Sequence, residues 1–264
     1  MTADDDVTAA DRPLEVLAAS VGRLARLVGD LTTDDLRRSA YPTEWTIADV
    51  LSHLGSGAVI MRHRLEETLA GRAVDDSFNT ATWDAWNAKS PEDQAADMLV
   101  TDRALVNALV AVGPDERAGY SQPFGPLTIG FAELVKLRLN EHTLHSWDVA
   151  VTLDPQARLA ADATGLVVDA LGRIAGFAGE PAAEARTLQV RTTDPVRHLV
   201  LELGTERVKL TALDGAASGD ADADLELPAE AFVRLVYGRL DPGHTPAGLD
   251  SPHLDELRRT FPGF

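Results

Sequence analysis

Apolar residues recur at three- and four-residue intervals along most of the first 153 residues, and this pattern constrains the fold more than any other feature of the sequence. Such spacing places apolar side chains on one face of a helix. It predicts four long helices: from Leu14 to Leu31, from Ile47 to about Ala70, from Pro91 to near Gly113, and from about Thr128 to Leu153. Four helices of this length, joined by connectors of varied length, indicate a four-helix bundle over residues 13–153.

Residues that favour helix ends support these boundaries. Thr46, with Asp49 three residues later, forms a variant of the capping box, and Ser90 followed by Pro91 is a strong helix start. Gly71 suits the C-terminal cap of the second helix. Between the long helices, residues 78–88 suit a short helix or loop, and residues 114–127 suit a loop rich in Gly and Pro.

The pattern changes after Asp154 and Pro155 to a mixture of helices and strands, which predicts a domain boundary there. Alternating apolar residues predict strands at 188–192, 198–203, 208–213 and 225–227, and helical spacing predicts helices at 162–178, 228–239 and 251–261. We expect the acidic stretch 214–224 to be a solvated loop. The chain is therefore predicted to be an α+β two-domain protein, with a flexible acidic leader over residues 1–12, the bundle over 13–153 and a small α+β domain over 154–264.

The charge balance excludes several classes of function. Against 24 basic residues there are 42 acidic ones, a net charge of −18, so nucleic acids and anionic membranes would be repelled. No apolar run reaches the roughly 18–20 residues of a membrane-spanning helix. The acidic N-terminus does not resemble a secretory signal, and the sequence contains no cysteine. We therefore expect a cytoplasmic protein, a monomer or homodimer, without disulfides or Cys-type metal sites.

The segment from Asn140 to Asp148 carries the strongest chemical signal. Glu141, His145 and Asp148 follow the spacing i, i+4, i+7, so all three project from one helix face. A glutamate and a histidine four residues apart can bind one metal ion, and a nearby carboxylate can orient the imidazole. His53, in the second bundle helix, is the natural third ligand. Two histidines and one carboxylate leave a fourth position open, which is typical of catalytic zinc sites.

Other interpretations of these residues remain open. A Glu-x-x-x-His pair is common on helices that bind no metal, and a lone His53 is more often a hydrogen-bonded core residue. His142 points away from Glu141 and is expected to be a bystander or to support a ligand. His63 is expected at the surface, and we predict structural roles for His198, His244 and His253. We predict that the four tryptophans lie in the core or in a pocket wall, at positions 45, 83, 86 and 147. Small residues after His53, namely Gly55, Gly57 and Ala58, suit the close approach of a helix or ligand.

Two segments together resemble the signature motifs of a known family. The segment from Trp45 to Leu54, which includes His53, and the segment from Asn140 to Asp148 are similar to those of the mycothiol-dependent maleylpyruvate isomerase family, a branch of the DinB-like four-helix bundles. The C-terminal residues, including 225–239 and 261–264, resemble the small sterol-carrier-like α+β domain of that family. The resemblance covers nearly the whole chain after about residue 12.

The resemblance implies a zinc ion held by His53, Glu141 and His145, with mycothiol as a low-molecular-weight thiol cosubstrate. It also implies an active-site arginine from the C-terminal domain, for which Arg239 is the best match. Arg239 would clamp a substrate carboxylate in a bidentate fork, or alternatively cap the end of its own helix. Asp148 is the second residue predicted to assist catalysis. The absence of cysteine is consistent with a thiol supplied from outside the chain.

The predicted function is a zinc- and thiol-dependent isomerase or S-transferase acting on a small electrophile. Zinc would deprotonate the thiol, and the thiolate would add to an activated double bond or form a stable thioether. Two alternatives stay open. One is a non-catalytic protein that binds a metal and, in the sterol-carrier-like domain, a small apolar ligand. The other is a bundle kept only as a dimerisation scaffold, which would not need His53, Glu141 and His145.

Overall fold

The chain forms two compact units in the computed structural model, which describes residues 8–125, 127–213 and 224–263. The units divide between Ala157 and Arg158. Part of the predicted acidic leader, residues 1–7, and nearly all of the predicted acidic loop, residues 214–223, lie outside the described residues. Within the described part of the chain, no helix is both long enough and apolar enough to cross a membrane.

The first unit contains the four predicted long helices and several short elements. The helices are α1 (Asp11–Gly29), α2 (Thr33–Leu36), α3 (Ile47–Leu69), α4 (Ser77–Asn87), α5 (Pro91–Ala111), α6 (Pro114–Gly119) and α7 (Phe131–Leu153), and β1 (Gln122–Phe124) pairs with β2 (Leu127–Ile129). Helix α1 packs against α5 and α7, and α3 packs against the same two helices. This arrangement is the four-helix bundle that the apolar spacing predicted.

Two of the long bundle helices, α3 and α5, begin at the capping residues that the sequence indicated. Thr46 Oγ1 accepts a hydrogen bond from the Asp49 backbone N–H at 3.1 Å, and Asp49 Oδ2 accepts one from the Thr46 N–H at 2.8 Å. Ser90 Oγ likewise accepts from the Asp93 N–H at 3.1 Å, with Pro91 in the first turn. Gly71 follows α3 with φ of +66°, the left-handed conformation that glycine adopts without strain.

The prediction of a loop over residues 114–127 was wrong. Pro114 begins the short helix α6, because the Glu116 side chain accepts a hydrogen bond from the Gly113 N–H and Pro fits the first turn. The β1–β2 hairpin follows, and its second strand includes Thr128 and Ile129, which were assigned to the fourth long helix. Helix α7 consequently begins at Phe131, after Gly130, and not at Thr128.

The second unit is a four-stranded sheet with helices. Its elements are α8 (Ala161–Asp169), α9 (Leu171–Ala178), β3 (Arg186–Thr193), β4 (Arg197–Leu203), β5 (Val208–Ala212), β6 (Leu225–Pro228), α10 (Ala229–Val236) and α11 (Leu254–Thr260). The strand order is β5-β4-β3-β6, in which β6 runs parallel to β3 and the other pairs are antiparallel. The four predicted strands and the α+β class are confirmed.

Three helix boundaries in this unit differ from the prediction. Residues 162–178 form two helices instead of one, because α8 packs against α10 while α9 packs against β5. Helix α10 ends at Val236 instead of Arg239. There Gly238 adopts φ of +69°, and the Arg239 N–H donates to the Arg234 carbonyl at 2.6 Å, which is a Schellman ending. Helix α11 begins at Leu254, three residues later than predicted.

Gly55 allows α4 to approach α3 closely. A Cβ atom at this position would lie 2.2 Å from the ring of Trp86, far inside van der Waals contact. The backbone carbonyl of Trp86 accepts a hydrogen bond from Gln94 Nε2 at 3.2 Å, and Lys89 Nζ lies 3.7 Å from the indole centroid. The hydrogen bond and the cation–π contact therefore help to keep Trp86 packed against Gly55.

The variant Gly55→Ala is expected to destabilise the bundle by about 1–3 kcal/mol, because Trp86 must move to accept the methyl group. Gly22→Ala is the matched control in α1, where the added Cβ meets its nearest neighbour at 3.8 Å. That change should stabilise by about 0.5–1 kcal/mol, the ordinary gain of alanine over glycine in a helix. Urea unfolding followed by tryptophan fluorescence measures both. Equal effects in the two variants would contradict the close packing.

Candidate metal centre

Three side chains from two bundle helices meet near one end of α3. His53 lies in the second turn of α3, and Glu141 and His145 lie one turn apart on α7. One ligand atom from each residue lies within 4.8 Å of the others. His53 Nε2 is 3.2 Å from Glu141 Oε2, and His145 Nε2 is 3.6 Å from the same oxygen. The structure thus brings together the three residues that the sequence predicted as metal ligands.

These distances fit a tetrahedral divalent ion. Zinc binds imidazole nitrogen and carboxylate oxygen at roughly 2.0–2.2 Å, so two ligands of a tetrahedral site lie about 3.3 Å apart. The two distances to Glu141 Oε2 fall on either side of that value. The donor set of two imidazoles and one carboxylate also suits such an ion.

The Asp148 carboxylate fixes the orientation of the His145 ring through a hydrogen bond. The His145 Nδ1–H donates to Asp148 Oδ2 at 2.9 Å, and the Asp148 side chain is completely buried. This hydrogen bond leaves His145 Nε2, which faces Glu141, available as the ligand atom. Burial alone would lower the pKa of His145, but the hydrogen bonds with Asp148 and Glu141 outweigh it and raise that pKa.

The electrostatics of Glu141 favour the ionised carboxylate. Burial alone would raise its pKa, but hydrogen bonds with His145 and His53 hold the pKa of Glu141 below its ordinary value. The Glu141 side chain is nevertheless 50% exposed and that of His53 is 41% exposed. The cluster is therefore partly exposed at His53 and Glu141, whereas Asp148 is buried beside His145.

A buried polar network lies beside the cluster and was not predicted. Asp102 on α5 forms an ion pair with Arg138 on α7, and Arg138 also donates to the Leu54 carbonyl at 2.9 Å. His142 Nε2 donates to Asp102 Oδ2 at 3.1 Å, and Ser20 Oγ donates to His142 Nδ1 at 2.9 Å. The network joins α1, α5 and α7, and touches α3 through the backbone.

Burial, neighbouring charges and hydrogen bonds shift the pKa values of the groups in this network. Burial alone would raise the pKa of Asp102, but the Arg138 charge and the hydrogen bond with His142 outweigh it and lower that pKa. Burial lowers the pKa of His142 below its ordinary value. The network therefore contains a carboxylate, a guanidinium and a neutral imidazole. His142 is fully buried and supports the bundle core, and it is not part of the three-residue cluster.

The remaining aromatic and histidine residues differ in part from the prediction. Trp86 and Trp147 are buried as expected, whereas Trp83 is 47% exposed because α4 buries only its Trp86 side. His63 is half-buried and stacks on Phe78 with ring centroids 3.9 Å apart, so its assignment to the surface was incomplete. His244 pairs with Asp241 and His253 with Arg186. Among the described residues, only His53, Glu141 and His145 form a group with metal-binding geometry.

Arg239 belongs to the second unit. Its side chain is buried, and Nη1 donates to the Tyr237 carbonyl at 2.9 Å. Tyr237 directly follows the last residue of α10, so this contact fits the helix-capping alternative that the sequence left open. The role of Arg239 as a clamp for a substrate carboxylate stays a prediction.

The fold and the cluster define a helical bundle with a candidate divalent-metal centre, followed by an α+β domain. Residues 17–150 match the family model described as the mycothiol maleylpyruvate isomerase N-terminal domain. This match spans half of the chain, and the chain belongs to the mycothiol maleylpyruvate isomerase family.

Solved structures share the same fold. A crystal structure of mycothiol-dependent maleylpyruvate isomerase is 13% identical in sequence, with a TM-score of 0.64, and the alignment covers 96% of this chain and 98% of that chain. A crystal structure of a histidine-to-alanine mutant of that isomerase matches equally well. No curated protein matches the sequence. The family that the two sequence motifs indicated is confirmed.

Proposed function

We propose that this protein is a zinc- and mycothiol-dependent isomerase that acts on a small electrophile of the maleylpyruvate type. The observation that carries the proposal is the convergence of His53, Glu141 and His145, although His53 and Glu141 are 88 residues apart in the chain. Membership of the family supports the thiol and the reaction class. An S-transferase reaction of the same thiol is the alternative that the test below separates.

Each protein group has a distinct task in this proposal. Glu141 and the Nε2 atoms of the two histidines hold the ion. Asp148 keeps the proton of His145 on Nδ1, and so fixes which nitrogen faces the site. A bound divalent ion lowers the pKa of a thiol from about 8.5, so that the thiolate is present at neutral pH.

The isomerisation needs no oxidant or further reactant. The thiolate sulfur adds to one carbon of the conjugated double bond, and the electron pair moves into the adjacent carbonyl. The former double bond is now single and rotates. Loss of the sulfur then restores the double bond in the trans form and returns the thiolate unchanged. The half-exposed side of the cluster is where such a substrate can approach.

The test is an assay of the zinc-loaded chain with mycothiol and maleylpyruvate. We expect conversion to the trans isomer only when both zinc and the thiol are present. Glu141→Gln should abolish the activity, whereas Glu15→Gln, which removes a carboxylate from the surface of α1, should leave it unchanged. A stable thioether in place of the isomer would assign the chain to the transferases. A protein that consumes no thiol and isomerises nothing would be the non-catalytic binding protein.

Asp148 is proposed to set the orientation of His145, and Asp148→Asn tests this. The amide is a weaker hydrogen-bond acceptor for Nδ1–H, so zinc affinity should fall by about 10–100-fold. Asp154→Asn, at the exposed end of α7, makes the same change of charge and should leave the affinity unchanged. Competition with a zinc-sensitive dye measures both. Equal affinities in the two variants would show that Asp148 has no such role.

A further inference from the structure

Trp45 is held beside the cluster by a short, closed loop. Ser39 and Thr46 form an isolated β-bridge, and both backbone polar groups of Trp45 are bonded within the loop. Its N–H donates to the Pro42 carbonyl at 2.8 Å, and its carbonyl accepts from the Ala40 N–H at 2.8 Å. These bonds fix the backbone of Trp45 next to the start of α3.

The indole ring lies against both histidines of the cluster. Its centroid is 5.3 Å from that of His53 and 6.1 Å from that of His145, and its plane is tilted by only 22° from the His145 ring. The two imidazole rings lie 4.6 Å apart, edge to face. Trp45 thus packs against two candidate ligands that come from different helices, while the Glu141 side chain stays half-exposed.

Trp45 differs from the two buried tryptophans of the bundle. Trp86 is 4% and Trp147 is 2% exposed, and the Trp147 indole N–H donates to the Ala157 carbonyl at 2.9 Å. Trp45 is only partly buried, and no hydrogen-bond partner for its indole N–H is found among the described residues. A core residue would normally have such a partner. Part of Trp45 is thus left exposed beside the two histidines of the cluster.

We propose that Trp45 is a specificity-determining residue that selects a thiol over water and oxygen ligands at this site. Sulfur is polarisable and packs favourably against aromatic rings, with an effect of about 2- to 12-fold in affinity. An indole wall also removes water from the side of the site that it covers. This inference rests on the proposed function, because it assigns a residue to the selection of the proposed cosubstrate.

The experiment compares mycothiol affinity in zinc-loaded variants by calorimetry, with zinc affinity measured separately. Trp45→Ala should weaken mycothiol binding by about 2- to 12-fold, and Trp45→Phe, which keeps an aromatic wall, should recover most of it. Zinc affinity should stay unchanged in both. Trp83→Ala removes an exposed tryptophan of α4 and should behave as the wild type. If Trp45→Ala does not fold, Trp45→Leu keeps apolar bulk without the ring and should show the same loss.

Two results would overturn the inference, and they are distinct from failure of the proposed function. Unchanged mycothiol affinity in Trp45→Ala or Trp45→Leu would show that the ring does not select the thiol. Loss of zinc and thiol affinity together, not recovered in Trp45→Phe, would show a structural role only. A wild-type protein that binds zinc but no mycothiol would instead refute the proposed function, and the inference with it.

Discussion

The variant His53→Ala is expected to lower the affinity of the chain for zinc by more than about 100-fold. Loss of a group that only supports a ligand costs about 10–100-fold, and loss of the ligand itself should cost more. His53 is the only one of the three cluster residues that α3 contributes, so no neighbouring member of the cluster on that helix can replace it. Metal analysis of the purified proteins should find about one zinc per wild-type chain and almost none in the variant.

His63→Ala is the matched control for this experiment. His63 lies on the same helix, is half-buried and stacks on Phe78, but it is not part of the cluster. Its replacement should leave the zinc content at the wild-type level. If His53→Ala retained zinc with wild-type affinity, the assigned site would be wrong.

The variant Asp102→Ala is expected to reduce the free energy of unfolding of the bundle by about 3–5 kcal/mol, because it leaves the Arg138 guanidinium buried without its carboxylate. Both side chains are almost fully buried, at 2% and 4% exposure. The four tryptophans, at positions 45, 83, 86 and 147, all belong to the first unit. Urea unfolding followed by tryptophan fluorescence therefore reports on the bundle.

Asp97→Ala provides the comparison on the same helix. Asp97 pairs with Lys89 at 2.7 Å, but its side chain is 51% exposed. Pairs of this kind contribute about 0–1 kcal/mol, so the variant should unfold close to the wild type. A similar, small loss for Asp102→Ala would mean that the buried network contributes little to stability.

The sequence predicted the long helices well because their ends carry local signals. The Thr46–Asp49 and Ser90–Asp93 hydrogen bonds satisfy backbone groups within three residues, so no distant contact is needed to place these helix starts. The prediction failed for α6, for the β1–β2 hairpin and for the break at Ala170. The break at Ala170 depends on partners elsewhere in the fold, such as the packing of α9 against β5. Helix α6 and the hairpin form through local interactions, including the Gly113–Glu116 hydrogen bond, that the sequence reasoning missed. Gly238 was a usable signal for the end of α10, but the helix was extended past it.

The metal cluster could be predicted only by combining signals from two separate helices. Glu141 and His145 share a helix face by spacing, and His53 in the second bundle helix was the natural third ligand. The resemblance then implied all three as zinc ligands. Asp102 and Arg138 were missed although a signal existed. Asp102 falls on the same helix face as Met98, Leu105 and Leu109, all buried, and a charged residue within such a stripe indicates a buried partner. The identity of that partner depends on tertiary packing.

The three candidate ligands come from α3 and α7 alone, and the contact between His53 and Glu141 spans 88 positions of the chain. An ion at this site would consequently act as a cross-link that ties the second long helix to the fourth. The ion would bind the folded bundle but not the unfolded chain. The free energy of unfolding would therefore rise with the logarithm of the metal concentration. Metal binding at this cluster and the stability of the bundle would therefore be coupled.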